Sequence, residues 1–376
     1  DYLDGFPGNP VGDNTLLGPF ATNTTLTAGT TYEVLGDLAV PAGVTLTIEA
    51  GAVLRFNGGA NNVLTVDGEL VVQGTAGNPV VFTSGQAAPA ADDWQGIYVS
   101  STATRFVLEY AEIRYADRAV EFAANTTAYN SGACDSFCVR NSTLEINRYG
   151  LYLTGASPWL EANTIQANNP TGVYLDDAQA WIEANLIQGN TDYGIYMRSA
   201  SPDVLANTIQ NNGANSVDAG ILIERDSNPQ ITSGNLITGN WYGIHARRGA
   251  SSYPNPAPVV NGNGIYDNTQ YNFYAGTFTD PAITTLDATG NWWGSTDPAV
   301  IAATIRDQSD STNAPVVDYQ GFLDAMNGNP VVLNTLLGTL GADTTLLSGQ
   351  TYSVQGSLLV PAGVTLTIEP GVTLRF

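Results

Sequence analysis

The side chains that could carry acid–base chemistry are few in this sequence of 376 residues. It contains no Lys and one His, His245, in the stretch GIHARRG. The nearest approach to a catalytic carboxylate pair is Asp176 and Asp177 in YLDDAQ. Glycoside cleavage needs two carboxyl groups that face one bond, whereas neighbouring residues of a strand point to opposite faces unless the strand ends between them. We therefore expect no catalytic residues and a protein that is not an enzyme.

A recurring Gly-apolar-X-apolar segment places aromatic side chains at one repeated position. The segments begin at Gly150, Gly172, Gly194, Gly220 and Gly243. Two residues after each Gly the sequence has Tyr152, Tyr174, Tyr196, Leu222 and His245. If the segments stack as strands, this exposed stripe could stack on sugar rings, and Trp159 and Trp181 form another stacked pair one strand later. We favour a self-stacking structural stripe, with a glycan or lateral contact surface as the alternative.

The position four residues after each Gly alternates in charge. It holds Thr154, Asp176, Arg198, Glu224 and Arg247, so the last four alternate in sign. Stacked coil on coil, these side chains predict an ion-pair ladder in which each exposed pair contributes about 0.2–1 kcal/mol. Ion pairing in this ladder would explain the presence of Asp176 without giving it a catalytic role.

The overall charge excludes several classes of partner. Twelve basic residues, all Arg, stand against 35 acidic residues, for a net charge of −23. Nucleic acid and anionic membrane surfaces are therefore poor partners. The acids are scattered, so solubility is the favoured explanation and Ca²⁺ binding the alternative, and no other cofactor is expected.

The two cysteines and the first residues bear on the compartment. Cys134 and Cys138 have no His or further Cys nearby to complete a zinc site, so a local disulfide is favoured over two free thiols. The opening DYLDGF resembles no signal peptide, and no apolar run is long enough to span a membrane. We expect an extracellular or cell-surface protein whose export signal lies outside this segment.

Asparagine recurs at a spacing of 22 and then 28 residues. The positions are Asn141, Asn163, Asn185, Asn207, Asn235, Asn263 and Asn291. Where equivalent residues stack at about 4.8 Å, side-chain amides can bond from coil to coil. The repeat predicts a structural asparagine ladder rather than a binding site.

These periods predict an all-β solenoid made of short strands and tight corners. Strand alternation points two sets of side chains inward: Leu151, Leu153, Val173, Leu175, Ile195, Met197, Ile221 and Ile223 in one, and Leu160, Ile182, Val204 and Ile231 in the other. STDPAVIAATIRD supplies the one expected helix, near 297–306, with Asp297 as cap and Pro298 in the first turn. It should cap or redirect the solenoid.

A longer repeat divides the chain into units. Residues 9–56 align without gaps on residues 329–376, with 31 identities in 48 positions. We expect a junction and N-terminal entry at 1–29, one unit at 30–317 and the start of the next, truncated unit at 318–376. An end inside a strand would expose an unpaired edge, which predicts a piece of a longer tandem array.

The segments DDWQGIYV at Asp92 and NWWGSTDPAVIAATIRD at Asn291, with the NTI and NLI steps, carry a family resemblance. They resemble the right-handed parallel β-helix repeats of the pectin-lyase-like superfamily, and more closely its secreted or surface repeats that do not look enzymatic. Similar lyases use a calcium held by acids and an Arg or Lys base, and similar hydrolases use three Asp with a His and a Lys. This sequence departs from both patterns.

The favoured function is structural: a repeat module that stacks head to tail into an extracellular rod, fibre, filament or adhesin stalk. Its partners would then be copies of itself or neighbouring units. The alternative is a β-helix that binds or degrades polysaccharide.

Overall fold

The architecture is a three-sided parallel coil, seen in a computed structural model that describes residues 14–124, 134, 136–215, 217–331 and 334–376. Part of the predicted junction at 1–29 lies outside these residues. All the paired strands of the solenoid run parallel, and each coil adds one short strand to each side. The all-β solenoid predicted from the repeats is confirmed.

The strands are short, as the spacing of turn residues predicts. The first fourteen are β1 (Thr15–Pro19), β2 (Thr24–Leu26), β3 (Thr31–Val40), β4 (Thr45–Glu49), β5 (Val53–Phe56), β6 (Val63–Val66), β7 (Glu69–Gln73), β8 (Val80–Ser84), β9 (Trp94–Val99), β10 (Arg105–Glu109), β11 (Ala111–Arg114), β12 (Ala116–Phe122), β13 (Phe137–Arg140) and β14 (Thr143–Glu145). The next sixteen are β15 (Tyr149–Thr154), β16 (Trp159–Glu161), β17 (Thr164–Gln166), β18 (Thr171–Asp176), β19 (Trp181–Glu183), β20 (Leu186–Gln188), β21 (Tyr193–Arg198), β22 (Asp203–Leu205), β23 (Thr208–Gln210), β24 (Ala219–Glu224), β25 (Gln230–Thr232), β26 (Leu236–Thr238), β27 (Tyr242–Arg247), β28 (Val259–Asn261), β29 (Gly264–Tyr266) and β30 (Tyr271–Ala275). The last eight are β31 (Thr285–Asp287), β32 (Ile305–Arg306), β33 (Val316–Asp318), β34 (Asn334–Thr339), β35 (Thr344–Leu346), β36 (Thr351–Leu359), β37 (Leu366–Ile368) and β38 (Thr373–Arg375).

The strands form three sides. The first is a twelve-stranded sheet from β2 to β33 that takes one strand from each coil. Strand β3 pairs through its first half with β5 and through its second half with β6, so the remaining strands divide into two further sides. One of these runs from β5 to β29 and the other from β6 to β32.

The interior is filled by stacked aliphatic side chains. Leu151, Val173, Ile195 and Ile221 occupy successive coils in register and are fully buried. Every other side chain predicted to point inward is also fully buried. Burying a Leu or Ile side chain stabilises by about 1.5–3 kcal/mol, so the repeated layers are the main support of the rod.

Two asparagine ladders run through the corners of the solenoid. In the first, Nδ2 of Asn163 donates to Oδ1 of Asn185 at 2.9 Å, and the links continue through Asn207, Asn235 and Asn263 to Asn291. The second ladder was not predicted and runs from Asn147 through 168, 190, 212, 240 and 268 to Asn272. Buried amides are thereby satisfied coil by coil.

Asn141 was predicted to belong to the first ladder, and that assignment is wrong. Asn141 has a φ of 52° and forms the turn itself, since Asn adopts the left-handed conformation more readily than most residues. The ladder position belongs to Ser142, whose backbone N–H donates to Oδ1 of Asn163 at 3.0 Å. The pattern is displaced by one residue at this first coil.

The Gly of each repeated segment lies against a ladder. A Cβ added at Gly194 would come within 2.6 Å of the carbonyl oxygen of Gly220 and 2.9 Å of Nδ2 of Asn212. Both neighbours are fixed by coil-to-coil hydrogen bonds, so neither can move aside freely.

Gly194→Ala is therefore expected to destabilise the protein by about 1–3 kcal/mol through overpacking. Thermal melting would measure the effect. Gly77→Ala is the matched control, because a Cβ at Gly77 meets no atom within 4 Å. Equal melting temperatures for the two variants would contradict the predicted clash.

The predicted short helix is confirmed as helix α1 (Pro298–Ala303), which lies between β31 and β32. The Asp297 side chain caps it by accepting from the backbone N–H of Ala299, and Ile301 is buried in the core. A 3-10 helix lies at Pro281–Ile283. Phe322, beyond β33, also packs in the same core.

Strands β34–β38 repeat the pairing of β1–β5. Leu336 lies opposite Val354 as Leu16 lies opposite Val34, and the same register shift follows in both. Their buried residues form a separate cluster.

Candidate functional site

One side of the solenoid collects most of the residues singled out by the sequence. It consists of β6, β9, β12, β15, β18, β21, β24, β27, β30 and β32, and we call it the tyrosine face. One outward residue per coil lies in register along it, and we call this set the central column: Thr65, Tyr98, Glu121, Tyr152, Tyr174, Tyr196, Leu222, His245, Tyr274 and Arg306.

Ring packing along the central column is close. The rings of Tyr152 and Tyr174 stack at 4.5 Å, and Tyr174 meets Tyr196 edge to face at 5.3 Å. The predicted uniformly exposed stripe is wrong, because Tyr174 is only 6% exposed and His245 only 4%. Their neighbours above and below cover them, whereas Tyr98, Tyr152, Tyr196 and Tyr274 are half-buried.

A second aromatic column flanks the first and was missed from the sequence. It holds Tyr149, Thr171, Tyr193, Ala219, Tyr242 and Tyr271 in register. The signal was present, because a Tyr immediately precedes Gly150, Gly194 and Gly243. Tyr149 meets Tyr152 and Tyr193 meets Tyr196 at ring distances of 5.2 and 5.1 Å. The two columns together form one aromatic strip.

The alternating charges form two pairs instead of a continuous ladder. Arg198 lies 3.6 Å from Asp176, and Arg247 lies 2.5 Å from Glu224. The expected middle step between Arg198 and Glu224 is replaced, because the hydroxyl of Tyr196 donates to Glu224 at 2.7 Å. Side-chain direction, which the sequence does not determine, breaks the predicted ladder here.

The phenols of Tyr174 and Tyr196 keep their protons at neutral pH. Burial raises the pKa of Tyr174 to about 12, although the hydrogen bond from Arg198 acts in the opposite direction. Burial, followed by the hydrogen bond to Glu224, raises the pKa of Tyr196 still further. Both side chains therefore present hydroxyl groups, not bases.

The N-terminal half of the face contains a charged cluster beside a cavity. Arg118 pairs with Glu121 at 2.5 Å and lies 4.1 Å above the ring of Tyr152. Arg148 pairs with Asp117 at 2.7 Å. The adjoining cavity has a volume of about 460 Å³ and is lined by Asn61, Val63, Thr65, Gln95, Gly96, Ile97, Tyr98 and Glu121. Amide, hydroxyl and carboxylate groups thus meet an aromatic ring in one recess.

The carboxylates of Asp176 and Asp177 are not brought together as a pair. Strand β18 ends at Asp176, and Asp177 has a φ of 54°, so the chain turns between them. Asp176 is engaged by Arg198, while Asp177 is exposed.

The tryptophans lie on another side of the solenoid, away from the tyrosine face. Trp159 and Trp181 are in register with Cys138 on the sheet that runs from β2 to β33. They pack in a small outer cluster with Val107, and Cys134 and Cys138 form a disulfide beside them. Tyrosine and tryptophan columns therefore cannot contact one ligand ring together.

No metal site or membrane span is evident in the described part of the chain. No group of three or more His, Cys, Asp and Glu side chains there could hold a metal ion. Within the same ranges, no helix has the length and apolar character needed to cross a membrane.

Comparisons with known proteins agree with the coil geometry. Residues 18–147 match the pectate-lyase-like β-helix domain, and residues 95–255 match the right-handed β-helix region. No curated protein sequence matches the chain. Solved structures of mutants of the periplasmic alginate epimerase AlgG are similar: one at 13% identity and a TM-score of 0.43, covering 93% of this chain and 79% of that one. Another has 11% identity and a TM-score of 0.28, with coverages of 92% and 73%.

The match to the pectate-lyase-like domain overturns the expectation that the protein is not an enzyme. The domain model that fits residues 18–147 is named for pectate lyase, which is an enzyme. The scarcity of familiar acid–base residues is therefore no ground for excluding enzymes. The right-handed parallel β-helix indicated by the NTI, NLI and Trp-Gln-Gly segments is thus confirmed, with a pectate-lyase-like domain over residues 18–147 and a right-handed β-helix region over residues 95–255.

Proposed function

We propose that this protein binds an extended polysaccharide along the tyrosine face. The charge balance of this face carries the proposal. Its strands from β6 to β32 hold four Arg and four acidic residues, whereas the whole chain has 12 basic and 35 acidic residues. An electrically balanced, aromatic side on a strongly acidic protein is suited to a ligand rich in hydroxyl groups.

The spacing of the accessible rings supports an extended ligand. Tyr98, Tyr152 and Tyr196 are half-buried, and each lies two coils from the next, or about 10 Å at the usual strand spacing. That distance is close to the length of two linked sugar rings. Alternate sugars of a straight chain could therefore stack on successive exposed rings, while the cavity beside Tyr98 offers amides to their hydroxyls.

A binding test can use polygalacturonate, alginate and neutral xylan as probes. The double variant Tyr152→Ala, Tyr196→Ala is expected to bind roughly tenfold more weakly or worse, since each aromatic contact contributes about 0.5–1.5 kcal/mol. Isothermal titration would measure affinity, and the release of reducing ends or unsaturated products would reveal cleavage.

Tyr253→Ala is the matched control, because Tyr253 packs under Arg225 in a loop outside the face. Failure of every polymer to bind the folded wild type would refute the proposal. Equal losses in the double variant and in the control would refute the assignment to the tyrosine face.

A second candidate function is a tandem extracellular rod that displays this face repeatedly. It is supported by the shared register of β1–β5 and β34–β38, together with 31 identities in 48 aligned positions. Electron microscopy of the native material should show long rods that repeat at one-unit intervals. Particles of a single unit would rule this candidate out and leave polysaccharide binding unaffected.

A further inference from the structure

His245 is a buried ionisable group near the C-terminal end of the tyrosine face. Its imidazole is 4% exposed and lies in register between Leu222 of β24 and Tyr274 of β30. The rings of Tyr242 and Tyr274 meet it edge to face, with centroids 5.4 and 4.7 Å away. Its Nδ1 is buried and has no hydrogen-bond partner within the described part of the chain. A proton added at Nδ1 would therefore create a buried donor without an acceptor.

The charged side chains closest to His245 along this face are cationic. Arg247 follows it on β27, and Arg306 lies two coils further along the central column. Glu224 neutralises Arg247, with Nη2 and Oε1 2.5 Å apart. Arg306 has no carboxylate partner among the described residues, and its Nη1 donates instead to the carbonyl oxygen of Ala275 at 2.7 Å. One positive charge near the imidazole is therefore uncompensated.

The acidic side chains of the adjoining segments are engaged elsewhere. Asp218, just before β24, accepts from the backbone N–H groups of residues 214 and 215. Asp307, just after β32, accepts from those of residues 309 and 317, and Asp310 accepts from that of Asp307. Burial raises the pKa of Tyr242, so this neighbouring phenol is uncharged at neutral pH. A proton on His245 would thus add a second uncompensated positive charge beside that of Arg306.

These surroundings favour the neutral imidazole in the closed coil. Burial, followed by the charge of Arg247, lowers the pKa of His245 to about 3; Arg306 acts in the same direction, and a hydrogen bond with the backbone of Val217 opposes them. An imidazole released into water has its ordinary pKa of 6.5. The open coil therefore binds one proton more than the closed coil between these two values. Stability from the buried neutral ring is fully present above pH 6.5 and is lost as the pH falls toward 3.

We propose that His245 makes the C-terminal coils of the tyrosine face an acid-sensitive switch, which is closed while the imidazole is neutral and opens when the imidazole takes up a proton. The switch consists of β27, β30 and β32. Each coil of a solenoid contacts only its neighbours, so these strands can separate while β15 and β18 stay paired. Opening would expose Ile244 and Phe273, which are fully buried in the closed coil. The switch is independent of whether the face binds polysaccharide.

Native-state hydrogen exchange of the whole protein tests the switch. The amide exchange rates of β27 and β30 would be compared between the wild type and His245→Leu from about pH 7 to pH 4. Leucine is chosen because Leu222 occupies the same column position one coil earlier. The ratio of the two rates cancels the intrinsic effect of pH on exchange. Below pH 6.5 this ratio should rise by close to tenfold per pH unit, as uptake of one proton on opening requires, while the ratio for β15 should stay constant.

Gln230→His is the control, because it adds an imidazole at an exposed position and should leave the pH dependence of exchange as in the wild type. NMR titration of the wild-type imidazole needs no variant, and its signal is unambiguous because His245 is the only His in the chain. A signal from the closed protein that titrates near pH 6.5, or an exchange ratio that does not change with pH, would overturn the proposal. An equal rise of the ratio at β15 would also overturn it, since protonation would then open the whole solenoid.

Discussion

Asn207→Ala is expected to destabilise the protein by about 3–5 kcal/mol, because it interrupts the first asparagine ladder at its centre. Oδ1 of Asn207 accepts from both the backbone N–H and Nδ2 of Asn185, each at 2.9 Å. Its own amide donates to the carbonyl oxygen of Ile182 and to Oδ1 of Asn235. Alanine would remove the acceptor of both Asn185 donors, while Oδ1 of Asn235 would keep only the hydrogen bond from the backbone N–H of residue 207.

Urea unfolding would measure the loss. Asn215→Ala is the control, since Asn215 is exposed and outside both ladders, and it should change stability by less than about 0.5 kcal/mol. Asn207→Ser should recover part of the difference, because Ser142 already occupies the equivalent position at the first coil. A loss at Asn207 no greater than that of the control would show that the ladder contributes little.

Trp94→Ala is expected to reduce stability by about 3–5 kcal/mol by emptying a large site in the core. Trp94 is fully buried, its ring stacks on Phe56 at a centroid distance of 3.9 Å, and its Nε1 donates to the carbonyl oxygen of Arg114 at 2.9 Å. The loss combines dispersion contacts, buried area and one hydrogen bond. Trp94→Phe should lose much less, because it keeps a ring against Phe56.

The comparison with Trp181→Ala tests whether core position matters. Trp181 is only partly buried, in the small cluster on the outside of the solenoid. Its replacement should have a much smaller effect in the same urea titration. Comparable losses of stability at Trp94 and Trp181 would contradict the prediction that Trp94 contributes more because it is buried in the central core.

The coil could be predicted because its signals are local and repeated. Apolar alternation identified the inward residues, such as Leu151 and Val173, and the recurrence of Asn identified a ladder. The same pattern gave the wrong residue at Asn141, because a one-residue shift at the first coil is invisible without the turn geometry. The second ladder could have been found, because the segments NTIQAN and NLIQGN end in a second Asn.

The candidate site was harder to predict from the sequence than the coil was. The column of Tyr152, Tyr174 and Tyr196 follows from the repeat, but the burial of Tyr174 depends on how neighbouring rings pack. Trp159 and Trp181 were predicted to share a contact surface with the tyrosines, although a corner of the coil separates the tryptophans from the tyrosine face. A cavity at the C-terminal end of the tyrosine face is lined by His245, from a repeat strand, and by Ser311, from the segment after the helix, more than sixty positions later. No periodic signal connects those segments.

The two asparagine ladders also give the rod an electrical polarity. Within each ladder Oδ1 accepts from the coil before it, so the side-chain amides point the same way over five coil-to-coil links in each ladder. Each amide has a dipole comparable to that of a peptide group, about 3.5 D, and aligned dipoles add. Their negative ends face the N-terminal coils and their positive ends face the C-terminal coils. The interior field therefore favours an anion at the end of the rod where Arg306 lies.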